Sequence, residues 1–383
     1  MSTVPAPSMD IRALIAEPEE HDPSDSVRMG LGLSGGGYRA MLFHLGGVWR
    51  LNELGLLKRL DRVSSVSGGS ILAAQLGLRW NRLAFDSNGV AGNFVAEIVG
   101  PIRRVASTTI DWPAALLGWL GLSATSFYRW LLYRGATLQD LPDRPRFVIN
   151  ATNVQSGRLW RFSKPYAWDW RVGKIPHPNI LLARAVAAST AWPPLLSPVI
   201  FRFKSDQYSP NTGADLQRPP FTTRVLLTDG GVYDNLGLES VWKQSQTVLI
   251  SDGSGQFAAQ RSPATNWLGQ VLRVISMIQN QVASLRKRNL IASFRSVAPE
   301  FQRSGAYWGL GSHLADYPVT SKLACTVDGT RELGLIPTRL KHIDAGLQER
   351  LINWGYAICD AAVRSHLVTS APMGKFPYPD RKV

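Results

Sequence analysis

Two strand-to-helix turns built from glycine and serine constrain this chain more than anything else in it. Residues 27–33 form an apolar run. They are followed by Ser34-Gly35-Gly36-Gly37 and then by residues 39–54, where Met41, Leu45, Val48 and Leu51 recur at helical spacing. The pattern repeats at once. Residues 61–66 read as a strand, Ser67-Gly68-Gly69 as a turn, and residues 70–78 as a helix. Successive strand–turn–helix units of this kind give a parallel sheet with both turns at the same, carboxyl edge, where α/β proteins place their sites. Further apolar runs at 146–151, 224–228 and 247–251 supply more strands. Helical spacing returns at 266–288 and at 347–363, the latter through Leu351, Trp354, Ile358 and Ala362. No internal repeat is present, and the class is α/β.

The turns carry the residues with chemical potential. Ser67 ends an apolar strand and precedes two glycines, the setting in which a sharp turn lifts a hydroxyl clear of a sheet. The string Ser65-Val66-Ser67-Gly68-Gly69 matches the G-x-S-x-G elbow except that Ser65 replaces the first glycine. Gly35, Gly36 and Gly37 expose successive backbone N–H groups at a helix N-terminus. That arrangement suits a phosphate or the oxyanion of a tetrahedral intermediate. A P-loop is excluded, since GxxxxGK[ST] is absent. A dinucleotide fingerprint is weak, because Ala40 stands where the last glycine belongs. Asp229 ends the strand at 224–228 and precedes Gly230 and Gly231, so its carboxylate can reach across to a neighbouring strand as a base. Asp-Gly is also a plain turn signal. Asp252, before Gly253, is a rival strand-end carboxylate. A Ser-His-Asp triad stays open through His313 or His342, though neither lies in a distinctive loop, and His44 reads as structural.

Composition narrows the partners. The net charge is +14, which favours anionic surfaces. The basic residues are scattered, with Arg286-Lys287-Arg288 the densest group, and no zinc-finger or RNA-recognition signature accompanies them. Nucleic acid is therefore not an expected partner. Cys325 and Cys359 are too few for a disulfide framework or a thiolate metal site, and no cofactor is expected. Residues 1–26 are polar and proline-containing, without the apolar stretch of a signal peptide, and read as a flexible arm. Residues 112–128 carry no charge, but Pro113 and the glycines and serines of the stretch argue against a membrane span. With Trp119, Trp130, Arg129 and Arg134 alongside, the 112–133 stretch is a candidate lid or membrane-contact insertion. The expected location is cytoplasmic with peripheral membrane association.

Together, Ser34-Gly35-Gly36-Gly37-Tyr38-Arg39, Ser65-Val66-Ser67-Gly68-Gly69 and Asp229-Gly230-Gly231 resemble the three ordered blocks of the patatin-like phospholipases. Residues 147–157 and 185–198 resemble that family's intervening strand and small-residue helix. Tyr233-Asp234-Asn235 has a flavour of its cytosolic phospholipase A2 branch. The resemblance implies a three-layer α/β/α sandwich with a central, mostly parallel sheet, forming one catalytic domain over residues 27–383. It implies Ser67 as nucleophile, Asp229 as the other half of a Ser-Asp dyad, and Gly35, Gly36 and Gly37 as the oxyanion hole. Arg39 would hold that loop or meet a lipid phosphate. The implied activity is hydrolysis of acyl esters in phospholipids or lysophospholipids at a membrane surface. An acyltransferase using the same dyad, or a silent lipid-binding protein that kept the fold, are the alternatives.

Overall fold

The structure is a computed structural model. It describes residues 27–111, 123–257, 259–298 and 301–383. The arm at 1–26 and residues 112–122 of the candidate lid lie outside the described residues.

A mixed sheet forms the middle layer. Its parallel half runs in the order β10 (Ser304–Gly309), β9 (Ser245–Asp252), β1 (Val27–Leu33), β2 (Arg62–Val66) and β3 (Arg146–Asn153). Beyond β3 the sheet turns antiparallel through β4 (Arg158–Phe162), β5 (Tyr166–Asp169) and β6 (Gly173–Pro176). The expected strands are all found: the first has the expected bounds, the second starts one residue later, and those expected at 146–151, 224–228 and 247–251 run one to three residues longer.

The side chains of β9 explain the three layers. Leu249 enters the large core on one face, whereas Val248 and Ile250 enter a smaller cluster with Leu236, Val241 and Leu290 on the other. Period-two alternation on a doubly covered strand needs helices on both sides. On the large-core side lie α1 (Gly37–Glu53) and α2 (Gly68–Arg79), with α3 (Leu182–Ser189) next to α2. The other face carries α4 (Trp267–Arg295), which contributes Leu290. The last helix, α5 (Ala345–His366), packs along α1 so closely that a Cβ on Gly46 would lie 1.9 Å from the Ile352 carbonyl oxygen. Asp344 caps it by accepting from the Leu347 N–H at 2.9 Å.

One departure from simple parallel winding positions the site. β8 (Arg224–Asp229) pairs antiparallel with β3, on the edge where β2 has ended. Val66 stands opposite Asn150, and Asp229 stands opposite the next residue, Ala151. The carboxyl ends of β2 and β8 therefore meet head-on along one edge of β3. β7 (Val199–Arg202) pairs with the outer side of β8.

The described part of the candidate lid, residues 123–133, is anchored inward. Tyr128 donates to Thr190 Oγ1 at 3.1 Å and Tyr133 to the Ile71 carbonyl at 2.8 Å, while Trp130 faces solvent. Among the described residues no helix is long and apolar enough to cross a membrane.

Candidate active site

Ser67 occupies the tight turn between β2 and α2, with φ 50° and ψ −121°. A non-glycine residue in that region is strained, and neighbouring contacts must hold it. Those contacts are present. The Ser67 N–H donates to Ser189 Oγ at 2.9 Å, and Ser189 Oγ donates to the Asn150 carbonyl at 2.6 Å. Ser70 Oγ joins the same cluster, 2.9 Å from Ser189 Oγ and 3.0 Å from Ser65 Oγ. Ser65, the departure from the G-x-S-x-G pattern, is fully buried and hydrogen-bonded. Its hydroxyl fits beneath the elbow rather than obstructing it. Gly68 cannot be anything larger, because a Cβ there would fall 2.0 Å from the Gly37 carbonyl oxygen.

Asp229 arrives from the opposite direction on β8. It is 2% exposed. Gly231 N–H donates to its Oδ1 at 2.7 Å, and the nearby Ser67 hydroxyl favours its charged form. Burial pushes its pKa up to about 7, against the smaller opposing effects of Gly231 and Ser67. Its backbone is fixed as well, since its N–H donates to the Ala191 carbonyl at 3.0 Å and its own carbonyl accepts from Thr152 Oγ1 at 2.8 Å.

The glycine loop closes over this pair. Gly36 and Gly37 have φ of 143° and 63°. The Gly35 N–H is engaged with the Asn235 carbonyl at 2.9 Å, which narrows the expected oxyanion donors to Gly36 and Gly37. Arg39, 2% exposed, turns inward. Its Nε and Nη2 donate to the Gly253 carbonyl at 3.3 and 3.2 Å, Nη2 to Thr338 Oγ1 at 3.0 Å, and Nη1 to the Ile336 carbonyl. Desolvation lowers its pKa to about 10, partly offset by Asp252. Arg39 thus bridges Gly253 to the 336–338 segment, and it also lines the cavity beside Ser67.

The rivals sit elsewhere. Asp252 is engaged by the Tyr307 hydroxyl at 2.7 Å and the Ser254 N–H at 3.0 Å, two strands away from β2. His44 is buried between Ser251 Oγ at 2.7 Å and the Ser34 carbonyl at 2.9 Å. Desolvation drives its pKa down to about 4, so it is neutral and structural. His342 lies against the Ser107 carbonyl at 2.9 Å, and among the described residues no histidine lines the cavity beside Ser67.

That cavity, of about 390 Å³, holds Ser67, Asp229, Gly35, Gly36 and Arg39. Its remaining walls include residues the sequence did not single out. Asn235 ties three loops together. Its carbonyl takes the Gly35 N–H, its Nδ2 donates to Ser254 Oγ at 2.8 Å, and its Oδ1 lies 2.5 Å from where a Cβ on Gly231 would sit. Its position just after the Asp229-Gly230-Gly231 block was the available signal. Ser276, Gln279 and Asn280 of α4 and residues 334–338 complete the walls.

The ordered blocks and their convergence are matched by a family model. The patatin-like phospholipase model covers residues 31–242, from β1 past Asp229. The chain belongs to the patatin-like phospholipase family. Its mixed α/β/α sheet is consistent with the patatin fold. Among solved structures, human GIVD cytosolic phospholipase A2 is similar at 14% identity and a TM-score of 0.48, over 90% of this chain and 62% of that one. VipD from Legionella pneumophila is similar at 16% identity and a TM-score of 0.32, over 85% of this chain and 67% of that one. This chain therefore spans less than two thirds of the human protein's length. No curated protein matches the sequence.

Proposed function

We propose that the protein is a lipid acyl-hydrolase that cleaves carboxylic esters of phospholipids or lysophospholipids through Ser67 and Asp229. The observation that carries this reading is a strained elbow serine that shares a cavity with a buried carboxylate whose pKa is pushed up to about 7. A base poised near neutrality accepts a serine proton far more readily than an exposed aspartate does.

In the proposed mechanism Ser67 Oγ attacks the acyl carbonyl carbon while its proton passes to the Asp229 carboxylate. Charge develops on the carbonyl oxygen, which the N–H groups of Gly36 and Gly37 stabilise. The intermediate collapses, the ester C–O bond breaks, and the leaving alkoxide takes the proton from Asp229. Water then attacks the acyl-Ser67 ester, giving its proton to Asp229. Collapse releases the fatty acid, and the proton returns to Ser67. Arg39 keeps the glycine loop in place from behind.

The test follows fatty-acid release from mixed phospholipid vesicles by the wild type, Ser67→Ala and Asp229→Asn. Release by the wild type and loss in both variants is expected. Release that survives Ser67→Ala overturns the assignment.

A further inference from the structure

Helix α4 is inverted relative to an ordinary surface helix. A surface helix normally turns its apolar stripe to the core and its polar face to water. Here Ser276, Gln279, Asn280 and Ala283 face the active-site cavity. On the opposite side, Trp267, Val271, Val274, Ile278 and Leu285 follow one another at helical spacing and are 44–77% exposed. Of the helix's 29 residues, only Leu290 and Ser293 are buried. A contiguous apolar stripe left in water is costly and marks a contact surface.

The charges on α4 identify what covers it. The helix contains no Asp or Glu and five basic residues, Arg273, Arg286, Lys287, Arg288 and Arg295. Arg286 fastens it to the body through Glu239 at 2.9 Å and Asp234 at 3.6 Å. Arg288 and Arg295 are exposed and, at 100° per residue, lie together along one side of the stripe. The spacing also fits a coiled-coil seam, but a second copy would bring the same basic helix with no carboxylate to pair it, on a chain of charge +14. An apolar stripe bordered by arginines, with an exposed Trp at one end, matches the boundary of an anionic bilayer.

We infer that α4 is the membrane-docking element of this protein, lying in the headgroup region of an anionic lipid surface so that the cavity wall it forms opens beside the bilayer. The inference rests on the reading of that cavity as a lipid-ester site. It adds to the candidate 112–133 stretch a second contact surface, on a helix on the other side of Asp229 in the chain.

The experiment separates docking from catalysis by using Ser67→Ala protein for binding. Vesicles of phosphatidylcholine, with and without phosphatidylglycerol, are floated with this protein and with Val274→Glu/Ile278→Glu and Leu285→Glu in the same background. None of these three positions lines the cavity. Flotation with the phosphatidylglycerol vesicles is expected, weaker with phosphatidylcholine alone, and reduced about tenfold or more by the double variant. In the active protein the same substitutions should leave hydrolysis of a dissolved short-chain ester intact while lowering release from vesicles. Should the double variant fail to fold, Leu285→Glu alone carries the comparison. Equal flotation of parent and folded variants overturns the proposal. So does a parent dimer that the variants split, since a second copy would then cover the stripe. A wild type that floats but hydrolyses no ester, dissolved or in vesicles, sinks the catalytic reading and leaves docking standing.

Discussion

Ser67 and Asp229 line one cavity, and they reach it together because their strands end against neighbouring residues of β3, Asn150 and Ala151. The register of the sheet sets their spacing, so substitutions at the site should be read as chemistry acting on a rigid frame.

Activity on a dissolved ester should climb as the pH rises through about 7, because only ionised Asp229 can take the Ser67 proton. A rate profile that stays flat across neutrality would contradict Asp229 as the base.

Stability should respond with the opposite sign. The folded pKa of Asp229 lies above its unfolded value, so the native state binds the extra proton and loses stability as the pH rises from about 4 to about 7. Asp229→Asn removes that loss. Its melting temperature should exceed the wild type's above neutrality, with the gap shrinking toward acid. His44, with its folded pKa lowered to about 4, acts in the reverse sense over much of the same window. The comparison must therefore be variant against wild type at each pH.

Ser189→Ala should act through the backbone of Ser67. It leaves the Ser67 N–H without its acceptor and removes the donor to the Asn150 carbonyl, at a cost of about 1–3 kcal/mol. Because Ser189 touches the elbow and not the cavity, kcat should fall while KM for a dissolved ester holds. A change confined to KM would argue against a positioning role.

Arg39→Lys should lower hydrolysis of neutral esters and of phospholipids together, with a drop in melting temperature, since lysine cannot replace a fork that reaches Gly253, Ile336 and Thr338 at once. Loss on phospholipids alone would instead assign Arg39 to the lipid phosphate.

Gly68→Ala should cost at least about 1–3 kcal/mol, because the added methyl meets the Gly37 carbonyl and not a movable side chain. Soluble, fully active Gly68→Ala protein would mean that the elbow and the glycine loop are not in contact.

The parallel half of the sheet was legible because strands such as β1 and β9 are covered on both faces and carry apolar runs, while β2 is marked by the Ser67-Gly68-Gly69 turn that follows it. β4, β5 and β6 were not, because Arg161 interrupts β4, Lys174 interrupts β6, and β5 is only four residues long and ends in Asp169. Charge on a strand usually marks exposure, but here Arg161 lies 5.0 Å over the Trp168 ring and Lys174 4.9 Å over the Tyr166 ring. The candidate dyad stood out through its glycines, which a turn chemically requires. Asn235 and the α4 wall did not, since a serine or an amide on a helix acquires meaning only from what it packs against. The preference for Asp229 over Asp252 rested on a doubled glycine and a resemblance. The head-on meeting of β2 and β8 supplies the physical reason.

That meeting also has a temporal side. During synthesis the serine emerges long before the aspartate that completes its site, and β8 can join β3 only after the whole antiparallel meander between them has been made. A half-made chain carries a serine with no base. On the proposed reading, hydrolysis begins only once the sheet has closed, and a truncated or unfinished molecule is harmless to the membranes around it.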